Sequence, residues 1–479
     1  MTDLPYRVAP EISPFPSGSA ALSDDSIEAL EQADKRHLWK PFTQMAGYIA
    51  GRPLVIQDAC GNWLRDVQGR PYLDGVSSLW VNLHGHNHPR IVAALKEQLD
   101  RLDHATLLGP TNVPATMLAA RLVQIAPGDL TRVFYSDSGS TAVEIAVKMA
   151  YQYFAQHRDP AERARNVFVS MTNGYHGDTL GSVSVGGIDL FHQVYAPLLF
   201  ETLKAPAPDP YHVAFGQSVD EHEDACLTEL ARRLDAHAGR VAALVMEPLM
   251  QGAAGMLAHS PRYLAAAAKL ARDAGALLIL DEVATGFGRT GTMFACEQAG
   301  VEPDLLCLAK GISGGVLPLA ATLATEEIHD GFLGEHNEYR TFFHGHSYTG
   351  NPLACTAGLA SLAVFREEDV LARVQDRIAQ LAARLETLAE HRHVGDIRRH
   401  GLMTGIEVVR DRSTGAPFDA SLRVGARVVE RALDHGVLIR PLGDVVVLMP
   451  PLSITPDELD LLTGVVLHCI DEVTAELAS

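Results

Sequence analysis

Residues 276–311 read ALLILDEVATGFGRTGTMFACEQAGVEPDLLCLAKG, with one apolar run ending on Asp281 and a second on Lys310. Leu277-Leu278-Ile279-Leu280 is short, continuous and bounded by polar residues, as a strand buried on both faces of a parallel sheet should be. In open α/β sheets ligands sit outside the carboxyl ends of the strands, so an acid and a lysine at two such ends mark a candidate active site. Asp281 and Lys310 form the provisional pair.

Outward from this stretch, helical and strand-like segments alternate from about residue 77 to about 350. HPRIVAALKEQLDRL, PATMLAARLVQIA and AVEIAVKMAYQYFAQHR carry apolar residues at helical spacing, while TRVFYSD, NVFVSM, VAALVMEP and ALLILDE are strand-like. Such alternation predicts an α/β domain around a mostly parallel sheet. Residues 1–25, rich in Pro, Ser and Asp, are expected to be a flexible arm. Residues 26–76 contain a helix stopped by Pro41 and then short strands. Beyond 365, REEDVLARVQDRIAQLAARLETLAEH reads as one long amphipathic helix, followed by short strands and a last helix opening at Thr455-Pro456-Asp457-Glu458. The expected organisation is therefore a large domain over 77–365 and a smaller α+β domain assembled from 26–76 and 366–479.

The chain has 479 residues, 47% hydrophobic and 20% charged, enough to bury a large core. Its formal net charge of -20 argues against a nucleic-acid or anionic-membrane partner, both of which need a basic footprint. Small molecules are the expected partners. No stretch approaches a membrane span, and the first residues lack a secretory pattern. The six cysteines include no C-x-x-C pair, which fits free thiols in a reducing cytoplasm.

Several motifs qualify the site. Ser136-Asp137-Ser138-Gly139-Ser140-Thr141 joins a strand to a strongly periodic helix, and Thr141 and Glu144 have capping-box spacing. Gly139 and Ser140 would expose backbone N–H groups at the positive helix end, a seat for a phosphate, although an ordinary helix start reads the same way. Gly286-Phe287-Gly288-Arg289-Thr290-Gly291 matches G-x-G-x-x-G, but Glu282 to Thr285 intervene after the strand and the next strand ends on Lys310, so a nicotinamide site is set aside. His84-Gly85-His86-Asn87-His88 and His344-Gly345-His346 lack further donors, and no metal is assigned. Asn173-Gly174-Tyr175-His176-Gly177-Asp178-Thr179 offers an aromatic ring, an imidazole and an acid in one loop, which could face a planar cofactor or simply turn at the surface. A buried lysine with a lowered pKa, an acid for a pyridinium nitrogen and a helix end for a phosphate together describe pyridoxal phosphate.

These residues resemble the class III, or ω-amino, aminotransferases of the fold-type-I pyridoxal-phosphate enzymes. The likeness runs from about His37 to about Glu472 and rests on the LLILDEVATGFGRTG stretch with its following lysine. Within the family, HLWKPFTQM, SSLWVNLHGHNHP, YSDSGSTAVEIAVKMA, NGYHGDT, MEPLMQGAAGM, TFFHGHSYTGNPLAC and IRPLGDVVVLMPP resemble the branch that converts 8-amino-7-oxononanoate to 7,8-diaminononanoate in biotin synthesis. The resemblance implies that Lys310 carries the cofactor as a Schiff base and shuttles the proton, and that Asp281 keeps the pyridinium nitrogen protonated. It also implies that Gly139 and Ser140 hold the phosphate, joined across a homodimer interface by His346 and Ser347, and that Tyr175 stacks near the ring with Asp178 behind it. Arg440 is implied to pair with the keto-acid carboxylate, and Phe42, Trp80 and Gly345 to line the substrate channel. Arg289 is left open between the pocket and a structural ion pair. Members that use S-adenosylmethionine as amino donor carry Tyr at Phe42, Trp-Trp at Leu79-Trp80 and Pro-Thr at His346-Ser347. In these segments the chain is closer to the Bacillus-type members, which implies L-lysine as donor. The alternatives are another ω-aminotransferase acting on diamines or β-alanine-like amines with pyruvate, and a non-catalytic cofactor-binding protein.

Overall fold

A computed structural model describes residues 22–213 and 217–478. The opening stretch lies at its centre. Leu277–Asp281 and Leu305–Leu308 are adjacent parallel strands, with Asp281 opposite Cys307. They belong to a seven-stranded sheet in the order Leu130–Ser136, Ala320–Thr325, Leu305–Leu308, Leu277–Asp281, Val241–Met246, Val167–Met171 and Leu203–Ala205. Only Ala320–Thr325 runs against its neighbours, so the sheet is mixed but mostly parallel. The apolar runs are continuous because the strands are covered on both sides: Leu278, Leu280, Leu306 and Leu308 enter one core cluster, and Ile279, Leu305 and Cys307 enter the other. Burying each such leucine or isoleucine is worth roughly 1.5–3 kcal/mol. The helix Gly139–Ala155 packs into the second of these clusters with nine buried residues, enough to shield that face of the sheet.

The smaller part comes from both chain ends. Ile56–Cys60, Trp63–Asp66 and Pro71–Asp74 form a sheet whose last strand pairs in parallel with Val437–Leu438. A second sheet joins Val394–His400, Met403–Val408, Val445–Leu448 and Arg440–Leu442. Trp63 Nε1 donates to Glu458 Oε1 at 2.7 Å, tying the early strands to the last helix. That helix starts at Pro456, with Thr455 and Glu458 exchanging capping bonds of 3.3 and 2.9 Å.

Two local expectations change. The first helix spans Asp24–His37 with Ser23 as its cap, so ordered structure begins inside the expected arm; residues 1–21 lie outside the described residues. The helix expected beyond 365 starts later, as Val370–Ala389, because Arg366 and Glu367 end the preceding helix, Pro352–Glu367. Asp369 separates them at φ 47°, a left-handed conformation that aspartate tolerates better than most residues.

Candidate active site

The carboxyl ends of the central strands open into a cavity of 730 Å³ whose wall includes Asp281, Lys310, Gly139, Ser140, Tyr175, Asp178 and Trp80. A second cavity of 680 Å³ shares Trp80, Tyr175 and Lys310 with it and adds Phe42 and Arg440. Nine of the twelve expected site residues therefore line one continuous space. Gly345 and His346 line a different cavity of 420 Å³, and Ser347 lines none of the three. His346 Nδ1 stands 2.7 Å from Asp137 Oδ2, at the lip of the first cavity. Within one subunit Gly345, His346 and Ser347 therefore stand apart from the cavity that the other nine line.

Asp281 is held by two neighbours. Its Oδ1 accepts from the Val283 N–H at 3.0 Å, and its Oδ2 lies 2.8 Å from His176 Nδ1, a fully buried ring. Lys310 sits just past its strand at φ 46°, a left-handed conformation that a residue with a Cβ adopts at a cost and that points to function. Loss of solvent pushes its ammonium down to about 8, against the pull of Asp281 and Glu247 and with a small push from Arg289. At pH 7 about a tenth of such lysines carry a free, nucleophilic amine, against well under a thousandth for an exposed one.

The anion seat is built at the start of Gly139–Ala155. The reciprocal cap pairs Ser138 with Thr141, not Thr141 with Glu144 as the spacing suggested. Glu144 is drawn instead to the next loop, accepting from Thr179 Oγ1 at 2.6 Å and the Ser182 N–H at 3.2 Å. Gly139 and Ser140 occupy the first helical positions, where backbone N–H groups have no intrahelical acceptor. Gly139 leaves room for Val283: a Cβ there would meet Val283 Cγ1 at 2.5 Å. Tyr175 donates to Asp178 Oδ2 at 2.9 Å, and burial together with that acid keeps its phenol protonated.

Glu247 and His176 were not assigned roles from the sequence. Glu247 follows the strand Val241–Met246, accepts from the N–H groups of Tyr175 and Gly252 at 3.0 Å each, and is pushed up to about 7 by burial. It obeys the same strand-end rule that singled out Asp281. No helix follows Gly291 directly, and none of residues 286–291 lines either cavity, so the glycine-rich loop packs behind the site and does not form its wall. Its Arg289 is buried and donates to the carbonyls of Pro450 and Asn82 at 2.6 Å each, so it is a clamp on backbone rather than an ion pair. The histidines of 84–88 diverge, to Ser361, Asp74 and Glu368.

Trp80 is mounted unusually. Ser77, Ser78, Leu79 and Trp80 have φ of 52°, 51°, 87° and 68°, a run of four non-glycine residues in the left-handed region. Such backbone costs roughly 1–2 kcal/mol per residue. The run is pinned by buried Asp74, which accepts from the Ser78 N–H at 2.9 Å and its Oγ at 2.8 Å, and by Ser77 Oγ donating to the Met449 carbonyl at 2.7 Å.

A model of the family "Aminotransferase class-III" matches residues 48–470. The chain belongs to the class-III aminotransferases. It is a pyridoxal-phosphate-dependent enzyme of fold type I. An adenosylmethionine-8-amino-7-oxononanoate aminotransferase of Nitratidesulfovibrio vulgaris is 55% identical over 445 residues, covering 93% of this chain and 82% of that protein. The crystal structure of the enzyme of that name from Methanocaldococcus jannaschii shares 45% identity at a TM-score of 0.87, covering 93% of this chain and 99% of the other. An ω-transaminase from Pseudomonas jessenii, solved in complex with PMP, shares 29% identity at a TM-score of 0.90, covering 94% and 99%.

The cavity suits pyridoxal phosphate by its own chemistry. It offers a carboxylate for a ring nitrogen, an amine for an aldehyde and a helix start for a phosphate, while the missing Cβ of Gly139 admits Val283 to the wall. The buried Trp80 Nε1 has no partner among the described residues, as expected of a wall that faces a ligand.

Proposed function

We propose that this class-III aminotransferase converts 8-amino-7-oxononanoate to 7,8-diaminononanoate in biotin biosynthesis. The observation that carries the reading is Arg440. It lines the cavity shared with Lys310, yet its guanidinium makes no hydrogen bond or ion pair with any described residue. An unpaired planar cation is suited to a carboxylate, and the keto acid carries one. The names of the relatives support the same acceptor.

Bound pyridoxal phosphate supplies the carbonyl that carries the amino group from donor to acceptor and the ring that withdraws electrons. Asp281, oriented by His176 and the Val283 N–H, holds the proton at the ring nitrogen. Gly139 and Ser140 bind the phosphate. Lys310 Nζ is the site's base: it takes the proton from the donor carbon that bears nitrogen, and delivers a proton to the former keto carbon of the acceptor in the second half of the cycle. Arg440 fixes the far end of the acceptor. Tyr175 and Trp80 close the space between the two ends against water.

For the donor, the proposal is L-lysine, on the strength of Phe42, Leu79-Trp80 and His346-Ser347. The competing reading, S-adenosylmethionine, is favoured by the names of the relatives. The proposal extends to a homodimer in which His346 and Ser347 complete the partner's phosphate site, to a domain division near residues 76 and 365, and to the cytoplasm. Exposed apolar residues such as Leu108, Phe343 and Tyr348 support a covered face, and the six cysteines are free thiols. A second reading, an ω-transaminase using pyruvate, is favoured by the similarity to such enzymes. The test supplies each donor separately with 8-amino-7-oxononanoate or pyruvate and measures the amine formed. Diaminononanoate with lysine supports the donor and the acceptor together; its formation with S-adenosylmethionine alone removes the donor assignment; conversion of pyruvate but not the keto acid removes the acceptor.

A further inference from the structure

Lys310 Nζ lies 4.9 Å from the centroid of the Trp80 ring, with the ammonium over the indole face. Indole is the strongest aromatic partner for a cation, and the attraction grows when water is excluded. The ring is 7% exposed and packs among Val76, Met250, Met256 and Val445. One edge rests on backbone: a Cβ on Gly252 would stand 3.3 Å from Trp80 Cζ3. Its own N–H makes no bond to a described residue, so the ring is not anchored by hydrogen bonding. Its position comes from packing and from the left-handed run Ser77–Trp80, pinned by Asp74. A strained mount that survives at a site argues for a geometric requirement there, and the group that the mount presents the ring to is Lys310.

We propose that Trp80 is a positioning residue for Lys310, its indole face holding the lysine ammonium in place during the part of the cycle in which the amine is not bonded to the cofactor. This rests on the assignment of Lys310 as the cofactor lysine. During transamination the amine is displaced by the amino donor and takes the proton from the substrate carbon, and the ammonium so formed must keep its place until it delivers that proton. Other groups facing the cavity cannot do this in the same way: Asp281 is held by His176, Glu247 is engaged with the N–H groups of Tyr175 and Gly252, and Tyr175 is bonded to Asp178. Arg289, buried behind the cavity wall, repels the ammonium. An aromatic face attracts the ammonium while leaving the amine form free, because the neutral form is not gripped by a hydrogen bond. Such a platform also favours the charged form, opposing the loss of solvent. Removing it therefore lowers the pH at which Lys310 gives up its proton.

The test uses the full-length enzyme in its pyridoxamine phosphate form, where Lys310 is free. Trace acetylation with acetic anhydride across pH, read by mass spectrometry of the Lys310 peptide against an exposed lysine, gives the titration midpoint of that amine. Trp80→Leu is expected to move the midpoint down by about 0.5–1 pH unit. Trp80→Phe, which keeps a face but not the N–H, is expected to restore at least half of that shift. A Trp80→Leu midpoint that rises or stays within 0.2 of the parent, or equal shifts in the two variants, would overturn the proposal, since shortening a residue that serves only to exclude water would leave the midpoint or let it rise. Labelling the parent's pyridoxal form separates the two layers. Lys310 should be protected there; equal labelling in both forms would overturn the lysine assignment, and this proposal with it.

Discussion

Gly139→Ala is expected to weaken cofactor binding without weakening the apoprotein. The added Cβ would stand 2.5 Å from Val283 Cγ1 and 3.0 Å from Cγ2, so Val283 must move by about an ångström to reach ordinary contact. Valine has little rotamer freedom with which to yield. In the apoprotein it can lean into the cavity it lines. With pyridoxal phosphate bound, that space is taken, and the cost of overpacking, about 1–3 kcal/mol, falls on binding. That corresponds to a cofactor dissociation constant raised about 5- to 150-fold. The Val283 N–H donates to Asp281 Oδ1, so the displacement also disturbs the carboxylate at the ring nitrogen. The assay is cofactor titration by absorbance, with urea denaturation of the apoprotein alongside. Repeating the substitution in a Val283→Ala background should cost less than about threefold, because the obstructing methyls are gone. An unchanged dissociation constant, or an equal loss in both backgrounds, would refute the coupling between helix start, Val283 and Asp281.

Arg440→Met should raise KM for the keto acid about 10- to 150-fold, from the loss of a charge-assisted pair, with less effect on cofactor affinity; steady-state kinetics checks it. Glu247 gives a pH prediction. Burial raises its carboxyl from 4.5 to about 7, so the folded state binds that proton more tightly than the unfolded chain. Stability from this group is therefore lost as pH rises from about 4.5 to 7 and is level above that, by at most about 3 kcal/mol. Urea midpoints of the apoprotein should show Glu247→Gln gaining on the parent between pH 5 and 8; a gain in the opposite direction would contradict the burial. His176→Phe should lower cofactor affinity by leaving Asp281 Oδ2 without its partner, whereas His88→Phe, whose ring reaches Glu368 instead, should not. Cofactor titration of both variants decides it.

The legible parts of the sequence were those where one local rule sufficed. Buried parallel strands need continuous apolar runs, so Asp281 and Lys310 stood out as the polar residues ending them. Glu247 obeyed the same rule but was read as the tail of a strand, because burial and the N–H groups it accepts from belong to distant loops. The cap at Ser138 was displaced by one choice the spacing could not make: Glu144 had a better partner in Thr179, 35 residues away. The left-handed run at Ser77–Trp80 carries no glycine or asparagine to announce it, since tertiary pinning by Asp74 and Met449 overrides the local preference. The helix start at Val370 was masked because Arg366-Glu367-Glu368-Asp369 holds no glycine or proline to mark the break. His346 and Ser347 were assigned through the resemblance alone, and within one subunit they do not line the cavity that holds Asp281 and Lys310.

The central claim is that two strand ends anchor one cofactor, Asp281 at its ring nitrogen and Lys310 at its carbonyl. Borohydride reduction of the holoenzyme, followed by proteolysis and mass spectrometry, tests it most directly. A pyridoxyl group on Lys310 in the parent, retained in Asp281→Ala but absent from Lys310→Ala together with all turnover, is the predicted result. The modification on another lysine of the parent, or full turnover by Lys310→Ala, would contradict it.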